Sequence, residues 1–365
     1  MTSIIDVMRE LPNGYEEACF TEKAIQRKRG IENPNDLMML ALFHLLNGCS
    51  LIEISEIARL AKLGIISDVA FMKRFERCGD WFRWILAHLE IAEVLEYKKP
   101  LWLEKYEVLA FDASEVAEKG RSGRVYRLHY ALNLFRMQSA YYKITDQKTG
   151  ETLCNFDFEK NDLIIADRIY STFRGIGHCL DRGANFILRL RYNSFNMYGS
   201  EGEKIDLLER LKKLEGEDIL DLPVFVRLGK RDGNTRLRIC ALRKDEKYLE
   251  QTKAKLRRRE TQKQIVVSDE AKTFNNYIVV VTALPDQIPG KDVLELYRLR
   301  WQVEIYFKRL KSIIDFGELP KRRKESSETW LNGKLMIAML IEKLMGAHSF
   351  SPREEMAEQE HLARN

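Results

Sequence analysis

Four residues near the C-terminal end of the chain have types and a spacing that suit chemistry on a phosphate group. Drawn as an α-helix at 100° per residue, the segment places Tyr297, Arg300, Glu304 and Lys311 within a sector of roughly 60°. An apolar stripe lies directly beside that sector and consists of Leu296, Leu299, Val303, Phe307, Leu310 and Ile314. Because charged residues of a solvated face normally lie opposite the apolar stripe, this pattern predicts a rigidly held carboxylate flanked by cations.

Two further acids end short apolar runs that are typical of buried strands. Asp112 ends the run from Glu107, and Asp167 ends the run from Asp162. Carboxylates at strand ends can converge with Glu304 on a neighbouring helix, where they would repel one another unless divalent cations lay between them. Oxygen-only ligation predicts Mg²⁺ or Mn²⁺. Two such ions about 4 Å apart would activate a water or a 3′-hydroxyl and stabilise the leaving oxygen at phosphorus.

The two cations of the helix fit the same chemistry. Arg300 lies one turn before Glu304 and Lys311 about two turns after it, so both are predicted to bind phosphates beside the reacting one. Plainer alternatives exist for each signal taken alone. An Asp after an apolar strand is usually a turn or cap residue. Arg300 and Glu304 also have the spacing of a helical salt bridge that contributes only about 0.3–0.5 kcal/mol.

The elements that must position these residues predict an α/β fold. Residues 101–191 have the pattern of three antiparallel strands followed by strand–helix–strand, which indicates a mixed sheet of the ribonuclease-H kind and the first part of a catalytic core. Residues 192–290 have the pattern of an inserted β-rich subdomain that contains a basic helix, Glu246–Arg259. One long helix from Asp292 to about Asp315 then returns to the core, within a last core segment at 291–350.

The two ends of the chain differ from this core. Residues 1–100 are predicted to form a helical N-terminal domain, in which Asn35 and Asp36 cap a helix that ends near Leu46. Two short helices around Gly64 resemble a helix-turn-helix that binds DNA, although an ordinary helical hairpin fits equally well. Lys73, Arg74 and Arg77 on the second of these helices favour DNA. Tyr97–Pro100 is predicted to be a linker, and residues 351–365 a polar tail.

Composition narrows the class of protein. The 365 residues carry a formal charge of +5, and 32% of them are charged, which predicts a soluble globular protein. No C-x-x-C pair occurs among the six cysteines, so we expect neither a zinc site nor disulfides. Reduced thiols in a cytoplasmic protein are expected instead. Neither a leader peptide nor a membrane span is expected. Two basic clusters fit either nucleic acid or a solvated face: Lys253, Lys255, Arg257, Arg258, Arg259 and Lys263, and Lys321, Arg322, Arg323 and Lys324.

The combination of residues resembles a known family. Tyr297, Arg300, Glu304 and Lys311 match the spacing Y-x-x-R-x-x-x-E-x-x-x-x-x-x-K, which is similar to the signature of bacterial DDE transposases of the insertion-sequence-four type. The strand that ends at Asp112 resembles the first acid motif of that family, and residues 165–171 (IADRIYS) resemble the second. Residues 330–335 (WLNGKL) resemble its C-terminal helix. The chain departs from the pattern at Ile169, where many relatives have Gly.

This resemblance implies a ribonuclease-H-like core in which Asp112, Asp167 and Glu304 bind the two metal ions. It implies DNA contacts for four residues: Tyr297, Arg300, Lys311 and Arg168. The reaction it implies is nicking at the terminal inverted repeats of an insertion sequence, followed by attack of the freed 3′-hydroxyl on target DNA. A homodimer in a synaptic complex and a nucleoid-associated location in the bacterial cytoplasm are also implied. Two rival functions stay open: a catalytically inactive or co-opted DNA-binding protein, and a metal-dependent nuclease without strand transfer.

Overall fold

The computed structural model describes residues 4–27, 29–89, 98–118, 123–228, 233–314, 316, 318–320 and 323–345. Three sequence predictions therefore fall wholly or partly outside the described residues: the polar tail 351–365, Tyr97 of the linker, and Lys321 and Arg322 of the second basic cluster. Within the described residues, no helix is both long enough and apolar enough to cross a membrane.

Helices and strands alternate in blocks along the chain. The α-helices of the described residues are α1 (Ile4–Arg9), α2 (Tyr15–Thr21), α3 (Pro34–Leu46), α4 (Leu51–Leu60), α5 (Asp68–Glu76), α6 (Cys78–His88), α7 (Phe173–Asp181), α8 (Leu207–Lys212), α9 (Glu246–Lys263), α10 (Asp269–Phe274), α11 (Gly290–Arg298), α12 (Trp301–Ile314) and α13 (Lys324–Met345). The strands are β1 (Glu107–Glu118), β2 (Val125–Asn133), β3 (Gln138–Asp146), β4 (Asp162–Ala166), β5 (Asn185–Arg189), β6 (Ile219–Val226), β7 (Thr235–Arg243), β8 (Tyr277–Thr282) and β9 (Glu318–Leu319).

All of these strands belong to one mixed sheet, with the order β3-β2-β1-β4-β5-β8-β7-β6 and β9 beside β1. The first three strands are antiparallel, whereas β1, β4 and β5 run parallel. This topology is consistent with a ribonuclease-H-like core. Strands β8, β7 and β6 continue the sheet from β5 in antiparallel pairs, so the segment predicted as an inserted subdomain extends the core sheet and forms no sheet of its own. Pairing with β8 covers the edge that β5 would otherwise expose.

The sheet has an apolar core on each face. One core contains the side chains of the N-terminal helices together with those of α11, α12 and α13. The other contains residues of α7, α8 and α10. Helix α13 joins the N-terminal helices to the sheet, and Gly333 on this helix lies so close to α3 and α6 that a Cβ atom would meet Leu45 Cδ1 at 2.6 Å and Phe82 Cε2 at 3.0 Å. The segment that resembles the family's C-terminal helix is therefore helical and buried.

Several local predictions for the N-terminal region need correction. The cap of α3 is Asn33, whose side chain accepts from the Asn35 amide, and not the predicted Asn35 and Asp36, because Pro34 fits the first turn of a helix. The two helices around Gly64 are confirmed as α4 and α5, and Ser67 caps α5. Gly64 has φ +146° and lies against the Gly30 carbonyl, a position that excludes any side chain.

Arg74 has a structural role in this region. Its guanidinium donates to the backbone carbonyls of Arg27, Arg29 and Ile31, at 3.1, 3.1 and 2.5 Å. It therefore ties α5 to the loop before α3. Of the three cations that favoured DNA binding by α5, Lys73 and Arg77 lack such bonds among the described residues.

The predicted single helix from Asp292 to Asp315 is two helices, α11 and α12. Between them the backbone tightens: Leu299 N–H donates to Leu296 O and Arg300 N–H donates to Tyr297 O, both at 3.0 Å. Hydrogen bonds that span three residues are typical of a tight 3-10 turn, in which each residue rotates the chain by about 120° instead of 100°. The break rotates Tyr297 relative to Glu304, so the sector drawn for one ideal helix is only approximate.

Candidate active site

Asp112 and Asp167 occupy matching positions on neighbouring parallel strands. Phe111 of β1 pairs with Ala166 of β4, and each acid is the next residue of its chain. Adjacent strands lie about 4.8 Å apart, so the two carboxylates start from backbone positions that are close together. The prediction that Asp112 ends its strand was wrong, because β1 pairs with β2 as far as Ala117. Strand β4 is the one that ends, at Ala166, so Asp112 has no β4 residue paired beside it.

Helix α12 covers the sheet face to which both acids belong. Phe111 and Ala166 are part of the core on the opposite face, and side chains alternate along a strand, so Asp112 and Asp167 point toward the helix. Tyr130, the cross-strand partner of Asp112, stacks on Tyr306 of α12 with 5.5 Å between ring centroids. It also meets Phe307 edge-on at 5.6 Å. These aromatic contacts hold the helix that carries Glu304 over β1.

Burial sets the protonation behaviour of Asp112. Burial raises its pKa to about 6, and the negative charges of Glu304 and Glu151 add to that effect. The Ala113 amide, which donates to Asp112 Oδ1 at 2.9 Å, and the Arg300 guanidinium lower the pKa. Asp112 is therefore a partly desolvated carboxylate with one hydrogen bond and with positive and negative neighbours, as expected for a group that acquires a cation as its partner.

Arg300 lies among the acids. Its Nη2 donates to Glu304 Oε1 at 2.6 Å, and the side chain is only 15% exposed, against 44% for Glu304. Burial acts to lower its pKa, but the Tyr297 phenol, Glu304 and Asp167 outweigh burial and raise it. The plainer alternative from the sequence, an i,i+4 salt bridge between Arg300 and Glu304, is thus formed in this conformation.

Three polar atoms in the segment after β4 have no hydrogen-bond partner among the described residues. Asp167 Oδ1, Tyr170 Oη and Ser171 Oγ are buried and make no hydrogen bond to the described residues. Burial holds the pKa of Tyr170 well above its ordinary value, and the charges of Glu151 and Asp112 raise it further. Buried polar atoms without a protein partner are uncommon in folded proteins, and a water or an ion can supply the hydrogen bond or contact that they lack.

The remaining predicted residues surround this centre. Tyr297 is 6% exposed, and burial raises its pKa, while the positive charges of Arg300 and Arg189 lower it. Burial lowers the pKa of Lys311, against the opposing effect of Asp112, and Lys311 Nζ lies 5.3 Å from the centre of the Phe307 ring. Arg168 donates to Asn275 Oδ1 at 3.4 Å on the other side of Asp167.

Comparison with known proteins gives this geometry a context. The family described as Transposase DDE domain matches residues 104–340, which is more than half of the chain. The chain belongs to this family of DDE transposases. The putative transposase InsL for insertion sequence element IS186A of Escherichia coli (strain K12) is 26% identical over 349 residues, covering 93% of this chain and 92% of InsL.

Two other relatives have similar names. The transposase for insertion sequence element IS421 of Escherichia coli is 26% identical over 350 residues, again covering 93% of this chain and 92% of the relative. The transposase for IS231E of Bacillus thuringiensis subsp. finitimus is 27% identical over 216 residues, which are 55% of this chain and 45% of that protein. The DDE transposase is thus an enzyme of DNA transposition, with homologues that are transposases of insertion sequences.

A DDE domain implies a divalent metal ion, and the residues of this transposase can be tested against it. Within the described part of the chain, no three His, Cys, Asp or Glu side chains lie close enough together to hold a metal ion. Asp112 and Asp167 nevertheless offer oxygen donors on adjacent strands, and Asp167 Oδ1 is buried without a partner. These two acids fit a hard divalent cation, whereas Glu304 accepts a hydrogen bond from Arg300 through Oε1.

One acid near the site was missed by sequence reasoning. The charge of Glu151, in the turn after β3, raises the pKa values of Asp112 and Tyr170, so it lies within electrostatic reach of both. Its own pKa is raised by burial and lowered by Arg127, whose Nε lies 3.5 Å from Glu151 Oε1. Glu151 follows a turn and belongs to no periodic pattern, so no signal in the sequence could have found it.

Proposed function

We propose that this DDE transposase is of the insertion-sequence-four type and that it nicks DNA at the terminal inverted repeats of its element and then joins the freed end to target DNA. The observation that supports this proposal best is the placement of Asp112 and Asp167 on adjacent parallel strands beneath the helix of Glu304. The four-residue signature on α11 and α12, with Arg300 coupled to Glu304 and Asp167, also supports it.

Asp112, Asp167 and Glu304 are the proposed metal ligands, for two Mg²⁺ or Mn²⁺ ions. When bound, such ions lower the pKa of an attacking water or hydroxyl and stabilise the leaving oxygen. The desolvated Asp112 carboxylate, whose pKa Arg300 already lowers, would gain a directly bound cation. Arg300 would exchange Glu304 for a DNA phosphate, which its planar fork of N–H groups can bind in bidentate fashion.

Three other side chains are the proposed contacts to DNA around the cleaved phosphate. Lys311 lies further along α12, Tyr297 lies at the end of α11, and Arg168 follows Asp167 directly. Helices α4 and α5 are the proposed readers of the terminal repeats. Two protomers would hold the two element ends in a synaptic complex, and the substrate would place the protein on the bacterial nucleoid.

Replacement of one acid tests the catalytic assignment. Glu304→Gln keeps the size of the side chain and removes its charge, so cleavage in Mg²⁺ should fall by about 10³-fold or more while DNA binding stays intact. Glu295→Gln is the matched control, because Glu295 lies on α11 with an exposed side chain 3.9 Å from Lys291. The assay follows nicking of a supercoiled plasmid that carries the DNA flanking this gene.

The outcomes of this assay separate the candidate functions. A Glu304→Gln protein that nicks as fast as the Glu295→Gln control would remove Glu304 from the metal site. A wild-type protein that binds the flanking DNA without nicking it would favour an inactive or co-opted DNA-binding protein. Nicked products that never become joined to added target DNA would identify a nuclease without strand transfer.

A further inference from the structure

A group of cations lies beside the candidate active site, on the side away from Glu304. Burial lowers the pKa of Arg168, and the positive charges of Arg189, Arg259 and Arg191 lower it further against the opposing effect of Asp167. Burial likewise lowers the pKa of Lys244 to about 8, with contributions from Arg189, Arg168 and Lys255. Hydrogen bonds link the same region: Arg168 and Lys244 both donate to Asn275, and Lys244 donates to Thr252 of α9. Cations that follow β4, β5 and β7 therefore lie near cations of β5 and α9. The members of this group, here called the cationic cluster, are Arg168, Arg189, Arg191, Lys244, Lys255 and Arg259.

The cationic cluster forms no ion pair within the described residues, although the charge of Asp167 acts on Arg168. Within the described residues, no Asp or Glu oxygen lies within 4.0 Å of a side-chain nitrogen of any of its six members, although ion pairs are common elsewhere on the same surface. Lys255, Arg259 and Arg191 are exposed, so the positive charge is available to a ligand. Like charges gathered without counter-ions destabilise the protein on their own and indicate an anionic partner.

One residue, Asn275, accepts hydrogen bonds from two members of the cluster. Asn275 accepts from Arg168 through its side-chain oxygen at 3.4 Å and from Lys244 Nζ through its backbone carbonyl at 2.6 Å. Lys244 also donates to Thr252 Oγ1 of α9 at 3.1 Å. This chain of hydrogen bonds connects the residue after Asp167 with α9, so the cluster is continuous with the candidate active site.

Helix α9 carries its basic residues on two flanks that differ in character. Thr252 of α9 accepts a hydrogen bond from Lys244, and Lys255 and Arg259 lie one and two turns further along the same face of the helix, toward the cationic cluster. Lys253 and Arg257 lie on the other flank among acids, where Lys253 Nζ contacts Glu250 Oε1 at 2.6 Å. The Lys253 hydrogen bond, followed by the nearby charges of Lys253 and Arg257, lowers the pKa of Glu250.

We infer that the cationic cluster binds the phosphate backbone of duplex DNA and holds the stretch of the substrate that leads away from Asp167 over α9. This surface rests on the proposed function for the identity of its ligand. Cations about one helical turn apart on α9, near Arg189 and Lys244, suit the phosphates of a DNA backbone and carry no means of reading bases. The contacts should therefore be independent of DNA sequence.

Two double variants of the full chain test this surface with the same change in net charge. Lys255→Gln with Arg259→Gln removes two members of the cluster, and Lys253→Gln with Arg257→Gln removes two cations from the other flank. Binding of a labelled 30-base-pair duplex of arbitrary sequence is measured by fluorescence anisotropy from about 50 to 300 mM NaCl. Loss of two phosphate contacts should weaken binding roughly 10- to 100-fold and reduce the slope of log K against log salt by about 1.8. The control should change the slope by less than about 0.5.

Several results would overturn this inference. Equal losses in the two double variants would mean that only net charge matters, and tighter binding of an RNA duplex of the same sequence would exclude DNA as the intended partner. Either result is compatible with intact nicking by the wild-type protein, so the proposed function would survive. The converse result is a DNA affinity that falls only in the Lys255 and Arg259 variant, with a wild-type protein that never nicks DNA. That result would support the DNA-binding surface and contradict the proposed function.

Discussion

Two buried polar regions of this protein differ in how their hydrogen bonds are satisfied. Arg238 on β7 is 2% exposed, and its guanidinium donates to both Asp221 oxygens and to the carbonyls of Leu284, Pro285 and Ile288. The segment from Asp167 to Ser171 after β4 has three buried polar atoms that find no hydrogen-bond partner in the described part of the chain. The first region holds the loop before α11, and the second borders the candidate active site.

This difference separates structure from function. A buried guanidinium with five good bonds is stable only in one geometry, so Arg238 fixes where α11 begins and therefore where α12 lies. Unsatisfied atoms at Asp167 and Tyr170 cost the folded protein free energy, which is retained where a ligand later supplies the missing bonds. Buried acids follow the same division: Glu342 on α13 is 3% exposed but accepts from the amide and hydroxyl of Ser139, both at 3.1 Å.

The largest expected effect is at Arg238. Arg238→Met should lower the free energy of unfolding by about 3–5 kcal/mol, because it leaves Asp221 and three carbonyls without their donor. Arg236→Met is the matched control: Arg236 lies two residues away on β7, pairs with Asp286 at the surface, and should contribute less than about 1 kcal/mol. Denaturant unfolding of both variants measures the difference. Equal losses would contradict the contrast between the two regions.

A smaller effect concerns Glu342 and depends on pH. Burial raises the pKa of Glu342 to about 7, despite hydrogen bonds from Tyr306 and Ser139 that lower it. Between the ordinary carboxyl pKa and about 7 the folded protein binds more protons than the unfolded chain, so the free energy of unfolding falls as pH rises through that window. Relative to Glu342→Gln, the wild-type protein should lose a few kcal/mol, about 3, between pH 4.5 and 7. Thermal unfolding at several pH values gives this difference, and parallel curves for the two proteins would refute it.

The smallest effect is expected at Asp167. Asp167→Asn should change the free energy of unfolding by about 1 kcal/mol or less without metal, because Oδ1 has no hydrogen bond to lose. Addition of 10 mM MgCl₂ should stabilise the wild-type protein by about 1 kcal/mol if the dissociation constant is about 1 mM, and leave Asp167→Asn unaffected. Asp157→Asn, at a side chain that is 97% exposed, is the control and should respond like wild type. Identical shifts of the melting temperature in all three proteins would show that the unpaired Oδ1 of Asp167 is not a metal ligand.

Much of the fold follows from the sequence because its signals are local. The apolar runs that end at Asp112 and Asp167 are strands, and the segment predicted to be β-rich contains β6, β7 and β8. Which strands pair depends on contacts between distant residues, and a single sequence carries no record of them. For this reason β6, β7 and β8 looked like a separate insertion, although β8 pairs with β5. For the same reason the sequence did not show that β1 continues past Asp112, where pairing with β2 stabilises it.

The candidate site could be predicted in part for related reasons. Residue type and spacing singled out Asp112, Asp167 and Glu304, and the structure places the first two on adjacent strands. Whether the three bind metal together stays a prediction. The pairing of Arg300 with Glu304 depends on which of two partners the guanidinium finds in the absence of DNA, and sequence reasoning preferred the phosphate. The basic helix gave an ambiguous signal, because only the packing of α9 shows that Lys255 and Lys253 face different surroundings.

The close packing of Gly333 against Leu45 and Phe82 has a consequence for synthesis of the chain on the ribosome. Helices α3 and α6 are made early, but the helix that covers them is almost the last described part of the chain to be made. During most of translation α3 and α6 can therefore pack against the other N-terminal helices but not against α13, and the N-terminal layer becomes complete only after α13 has left the ribosome. A nascent chain interrupted before Gly333 should expose this surface to chaperones and proteases, so only finished molecules would persist in the cell.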